Sequence, residues 1–191
     1  LKVWSHLSLQ FPDWHLVVAG NIETPYGWEV KHWLVKNEGH PSSCKNLDNL
    51  NPQHPTSLLS LPRGGWEGSR ITCIGEITGD LKQSLLAVAS LFVLPSFSEN
   101  FGQVILEALA AGLPVITTRG CPWPGLLTHQ CGWWIDREEM SLEKTLVEAM
   151  ALDDRDLKTI GQRGHKWVLR NFDWHLIASQ IRDLYYEILK R

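Results

Sequence analysis

Residues 91–120, LFVLPSFSENFGQVILEALAAGLPVITTRG, decide the fold. Leu91–Leu94 is a short apolar run stopped by Pro95, which suits a strand covered on both faces. Ser96–Asn100 is a polar, turn-forming cluster. From Phe101 to Ala111 apolar residues recur at helical spacing: Phe101, Val104, Ile105, Ala108 and Leu109. Gly112 is a helix stop, and Pro114–Thr118 is the next strand. The stretch reads as a βαβ unit, whose two strands are parallel neighbours in an α/β sheet.

The chemistry lies at the helix start. Glu99 falls in the loop at the carboxyl end of a strand, where open α/β sheets bind ligands. Asn100, Phe101 and Gly102 follow, and glycine permits close approach to the backbone. The first helical N–H groups are unpaired and form an anion site. Glu107 comes eight residues after Glu99. Helical rise puts it about 10–12 Å further along, off the core face and on the side of Gln103. Carboxylates accept hydrogen bonds from hydroxyls, and helix N-termini take phosphates. Hydroxyls, a diphosphate and further hydroxyls would satisfy this order, as in a nucleotide-sugar. Two glutamates at this spacing are ordinarily just solvated charges; the strand–loop–helix setting is what argues otherwise.

Working outward, Leu1–Phe11 reads as a helix broken by Pro12–Asp13, and Trp14–Ala19 as a buried strand. No G-x-G-x-x-G follows it, so it is not a dinucleotide fingerprint. Trp28–Asn37 reads as a helix. Residues 41–69 carry four prolines and no sustained periodicity, the signature of a long surface loop. Arg70–Ile74 is a strand, and Asp80 is positioned to cap a helix over Leu81–Ser90. Arg119 follows the strand ending at Thr118; as a cation it suits a diphosphate, or it is a solvated loop arginine. Trp123 covers a sugar pocket or packs its loop. Gly132–Ile135 is the last strand. Ser141, Asp153 and Asp173 are the expected caps of three closing helices, the last being Trp174–Lys190. Trp4, Trp14, Trp33, Trp167 and Trp174 fall at expected core positions.

With 43% hydrophobic and 20% charged residues, the chain is ordinary for a globular protein. A net charge of −3 without a basic run gives no support to nucleic-acid binding. No apolar stretch is long enough to span a bilayer. Four cysteines without metal spacing are expected as reduced thiols in a cytoplasmic protein. The histidines form no visible triad or metal cluster.

The Glu99-x7-Glu107 pattern, set in LPSFSENFGQVILEALAAGLPVI, closely resembles the donor-binding signature of retaining GT-B glycosyltransferases, best matched by family 4 (glycosyl transferases group 1). PDWHLVVAG and ITCIGEI resemble that family's second and third strands. CGWWID resembles the strand after the motif, and NFDWHLIASQIRDLYYEIL its closing helix. The match covers most of the chain outside 41–69, which would be an insertion. The resemblance implies the C-terminal half of a GT-B fold: a Rossmann-like, doubly wound parallel sheet. Residues 1–172 would be the nucleotide-sugar-binding domain and 173–191 a closing helix.

By the same resemblance Glu99 would hold sugar hydroxyls, as the catalytic-site carboxylate, and Glu107 the ribose. The amides of Phe101–Gly102 and Gln103–Val104, with Asn100 beside them, would face the diphosphate or sugar. Gly75, Glu76 and Ile77 would lie near the base. No metal or other cofactor is implied. A preceding strand with a GR…KG clamp, and an N-terminal acceptor domain, would belong to a longer chain. The expected partners are a nucleotide-sugar donor and a glycan or lipid-linked acceptor, in the cytoplasm or peripherally at the inner membrane face. Residues 1–191 would hold an incomplete donor half-site and alone would be inactive. Two other readings stay open: a non-catalytic nucleotide-sugar-binding or scaffold module, and a GT-B-fold sugar-nucleotide epimerase.

Overall fold

A computed structural model describes residues 1–21, 29, 32 and 71–190. The expected helix over Trp28–Asn37, the core role of Trp33 and the 41–69 insertion lie essentially outside these residues. By its contacts the chain divides into two compact units, Leu1–Val88 and Ala89–Arg191.

In the first unit, α1 (Lys2–Gln10) buries Val3, Trp4 and Leu7, the one-sided stripe of an amphipathic helix. Strand β1 (Leu16–Ala19) pairs in parallel with β2 (Ile71–Gly75), Leu16 opposite Ile71. Ile71, Thr72, Cys73 and Ile74 are all buried, as expected for a strand covered on both faces. Strand β1 is only half-buried and begins at Leu16 rather than Trp14. Helix α2 (Gly79–Val88) starts before Asp80, which sits in its first turn instead of capping it.

The second unit holds a three-stranded parallel sheet in the order β3 (Phe92–Leu94), β4 (Val115–Thr118), β5 (Gly132–Ile135). Strand β4 is central and every residue in it is buried, whereas β3 and β5 are half-buried. Helix α3 (Gln103–Ala110) links β3 to β4, completing the βαβ unit. A short helix, α4 (Gly125–Thr128), links β4 to β5. Then come α5 (Glu139–Met150), α6 (Asp154–Asn171) and α7 (Trp174–Leu189).

Helix α3 buries Ile105, Ala108 and Leu109 at zero exposure. Burying side chains of the Ile and Leu size contributes about 1.5–3 kcal/mol each. Its C-terminus is closed by backbone alone: Leu113 N–H donates to Ala108 O and Gly112 N–H to Leu109 O, with Gly112 at φ +80°, a Schellman motif. Helix α6 packs closely here through two glycines on one face. A Cβ on Gly161 would stand 1.8 Å from Gly112 O, and one on Gly164 would stand 2.6 Å from Leu109.

Other expectations give way. Helix α5 starts at Glu139 with Glu138 as N-cap, so Ser141 lies in its first turn. Asp153 and Asp173 do cap α6 and α7, Asp153 accepting from the Asp156 N–H and Asp173 from the N–H groups of His175 and Leu176. Helix α7 buries no residue, and Trp174 is 81% exposed rather than core.

Candidate functional site

The carboxyl ends of β3 and β4 form one hydrogen-bonded rim. Pro95–Asn100 turns against the loop that leaves β4. The Glu99 N–H donates to Gly120 O at 3.0 Å, and the Thr118 hydroxyl donates to Ser96 O. A Cβ on Gly120 would stand 2.2 Å from Phe97 O, so only glycine fits. Ser96 Oγ donates to Glu99 Oε1 at 3.1 Å. The half-buried Glu99 carboxylate is therefore oriented by its own loop.

The chain then enters α3 through Gly102, its N-cap, at φ +73° and ψ +58°. Without a Cβ, glycine adopts this left-handed geometry without strain. No side chain caps the helix. The helix begins two residues later than its apolar pattern indicates: Phe101 matches the spacing but lies outside α3 and is 43% exposed. Its ring joins Trp123, with centroids 5.2 Å apart, and Phe172 at 6.0 Å. The Phe101 carbonyl accepts from Trp123 Nε1 at 2.6 Å, and the Gly102 carbonyl accepts from Ile105 N at 2.8 Å. A left-handed residue followed by a right-handed one makes successive N–H groups converge into an anion-binding concavity. Here these are the amides of Gly102, Gln103 and Val104. Asn100 and Gln103 are exposed beside them, and Val104 is half-buried. Glu107 is half-buried in the next turn, off the Ile105/Ala108/Leu109 face.

Arg119 sits on the same edge of the sheet with partners of its own. Its Nε lies 2.8 Å from Asp136 Oδ1, and its guanidinium lies 4.7 Å above the Trp134 ring. The pair is half-exposed, so its gain is small, but it orients Arg119 toward the end of β5. Trp123 is buried at 2% exposure and packs its loop, which settles its two open roles in favour of packing. In the other unit, Gly75 is the last residue of β2, and Glu76 and Ile77 follow it. Gly75 is at φ +69° and its carbonyl accepts from Gly20 N.

Sequence reasoning passed over Ser96 and Asp136. Ser96 stands three residues before Glu99, within reach of a local side-chain bond, and that spacing was the available signal. Asp136 directly follows a strand, at the edge where ligands bind. A concavity of about 420 Å³ lies along α7, lined by Trp174, Ile177, Ile181, Arg182 and Tyr185 among others. It shares no residue with the rim and has no carboxylate. Among the described residues no group of three or more His, Cys, Asp or Glu could hold a metal ion. No described helix is long and apolar enough to cross a membrane.

Comparison with known proteins places this geometry. The family described as glycosyl transferases group 1 matches residues 68–167, more than half of the chain. An N-acetyl-alpha-D-glucosaminyl L-malate synthase from Bacillus anthracis is 31% identical over 135 residues, covering 70% of this chain and 35% of that protein. The C-terminal domain of the group 1 glycosyl transferase LpcC from Francisella tularensis superposes with a TM-score of 0.65 at 22% identity, over 91% of this chain and 77% of that one. HepE from Anabaena, solved in complex with UDP and glucose, superposes with a TM-score of 0.56 at 20% identity, over 97% of this chain and 52% of that one. These similarities establish the fold as the Rossmann-like C-terminal half of a GT-B architecture. The chain spans 22–35% of the length of the first curated relatives it matches. The matched span holds every element of the rim, and the chain belongs to the glycosyl transferases group 1 family.

Proposed function

We propose that this chain is the donor-binding part of a longer hexosyltransferase that uses a nucleotide-diphosphate sugar and retains anomeric configuration, as in family 4. Glu99 accepts hydrogen bonds from the sugar hydroxyls. The amides of Gly102, Gln103 and Val104 take the diphosphate, and Glu107 the ribose hydroxyls. Asn100 and Phe101 border the sugar and phosphate. Arg119, held by Asp136, adds positive charge at the rim. Stabilising the departing nucleoside diphosphate with backbone donors and cations is the catalytic lever, and no metal is called for. The Arg/Lys clamp and the acceptor-binding domain belong to the rest of the longer chain, and residues 1–191 alone are inactive. The acceptor is a glycan or lipid-linked glycan, met in the cytoplasm or at the inner membrane face.

The observation that carries this reading is the α3 N-terminus: a left-handed glycine without a side-chain cap, between Glu99 and Glu107, in a family of sugar transferases. The UDP and glucose held by HepE are the ligand type it would take. The test is titration calorimetry with UDP, GDP and ADP and their sugars. One base is expected to bind saturably. Glu107→Ala should weaken nucleoside diphosphate binding about tenfold, the scale of one hydrogen bond to a charged group, and more than Glu99→Ala does. Equal affinities for both variants and the wild type would sink the assignment.

A further inference from the structure

The peptide joining Phe101 to Gly102 stands at the entrance to α3, in the proposed diphosphate site. Glycine tolerates both signs of φ, so the backbone of Gly102 does not by itself fix the orientation of this peptide plane. Its carbonyl and N–H point in opposite directions because the peptide is planar and trans. Whatever holds the carbonyl therefore aims the N–H. In this structure the carbonyl is held by Trp123 Nε1 at 2.6 Å. Trp123 cannot easily move. Its ring is 2% exposed, lies 5.6 Å from Phe172 and meets Trp167 edge-on at 5.7 Å. Trp167 is itself packed against Gly125, where a Cβ would stand 2.4 Å from its ring. Pro122 and Pro124 stiffen the chain on either side of it.

We propose that Trp123 is a positioning residue for donor binding: its indole N–H holds the Phe101 carbonyl inward and so aims the Gly102 N–H at the diphosphate. The inference rests on the donor-site reading above. It assigns a phosphate-directed role to a side chain that never touches the ligand. The aromatic cluster of Phe101, Trp123, Trp167 and Phe172 becomes the mount on which the anion-binding turn is set. Phenylalanine would keep the ring packing but leave the Phe101 carbonyl without its donor. The peptide would then sample orientations in which Gly102 N–H faces away.

The experiment uses the full-length protein and compares wild type with Trp123→Phe. UDP, GDP, ADP and the three corresponding nucleosides are titrated calorimetrically. The expected result is diphosphate affinity lowered about tenfold, the scale of one charge-assisted hydrogen bond, with nucleoside affinity unchanged. Equal weakening of nucleoside and diphosphate, or no weakening of either, would overturn the inference. If wild type binds no diphosphate, the donor-site reading itself fails, and the inference with it. Should Trp123→Phe not fold, the wild-type protein decides the matter by NMR. The Gly102 amide and Trp123 indole protons should both move downfield with diphosphate and not with nucleoside, because linked hydrogen bonds polarise one another. Absence of that shift overturns the inference.

Discussion

Helix α3 is bounded by two left-handed glycines, Gly102 at φ +73° and Gly112 at φ +80°. At Gly112 the chain satisfies itself: two orphan carbonyls are taken by the N–H groups of Gly112 and Leu113, and α6 seals the outside through Gly161. At Gly102 the same conformation does the reverse. No side chain caps the helix, the Phe101 carbonyl is drawn inward by Trp123, and this is the end proposed above for the diphosphate. The closed end carries stability; the open end is the one the proposal assigns to binding. A glycine's conformation alone does not distinguish them; the partners of the neighbouring peptides do.

The largest effect should come at the closed end. Gly161→Ala places a Cβ 1.8 Å from a backbone oxygen that cannot swing away. Stability should fall by about 3 kcal/mol, the upper range of overpacking, seen as a lower denaturation midpoint or failure to fold. A wild-type midpoint would mean α6 is not pressed against Gly112. The next test substitutes the two glycines in parallel. Gly102→Ala and Gly112→Ala each incur about 1–2 kcal/mol for left-handed backbone. At Gly112 the new methyl meets nothing within 4 Å, whereas at Gly102 it meets Ile105 Cδ1 at 3.1 Å. Gly112→Ala should lower the midpoint and leave nucleoside diphosphate binding intact; Gly102→Ala should lower both. Equal binding by the two variants would erase the distinction. The smallest effect concerns a helix outside the comparison. Asp173→Ala removes the cap of α7, worth about 1 kcal/mol. Because α7 buries no residue, the loss should be seen as faster amide exchange within α7 and not in the overall midpoint. A matching fall in the midpoint would show that α7 is coupled to the core.

What the chain disclosed beforehand follows from the range of the interactions involved. The β3–α3–β4 unit was legible because apolar runs, helical spacing and the Gly112 stop are local signals that tertiary packing reinforced. The caps at Asp153 and Asp173 were legible for the same reason. The start of α3 was not: Phe101 fits the helical stripe, but its ring is claimed by Trp123 and Phe172, from segments more than twenty residues away. Trp174 was misjudged because hydrophobicity marks a face without saying whether anything covers it. Helix α4, a single turn after two prolines, is too short to show a period. In the candidate site, both glutamates and the left-handed glycine could be found in advance. The Ser96, Trp123 and Asp136 contacts that hold the rim depend on the fold's long-range pairings or on a local bond that the expected turn concealed.

Three of the cysteines, Cys73, Cys121 and Cys131, are buried; Cys44 lies outside the described residues. Burial pushes the Cys131 thiol up to about 11, so at pH 7 only about one molecule in ten thousand presents the reactive thiolate there. All three thiols are at zero exposure, so a reagent reaches each only when its segment opens. Cys73 lies in β2, and Cys121 and Cys131 lie in the β4–β5 connection on either side of α4. The thiols thus serve as separate clocks for the two units. Labelling them under native conditions reads directly whether the halves open as one body or each at its own rate.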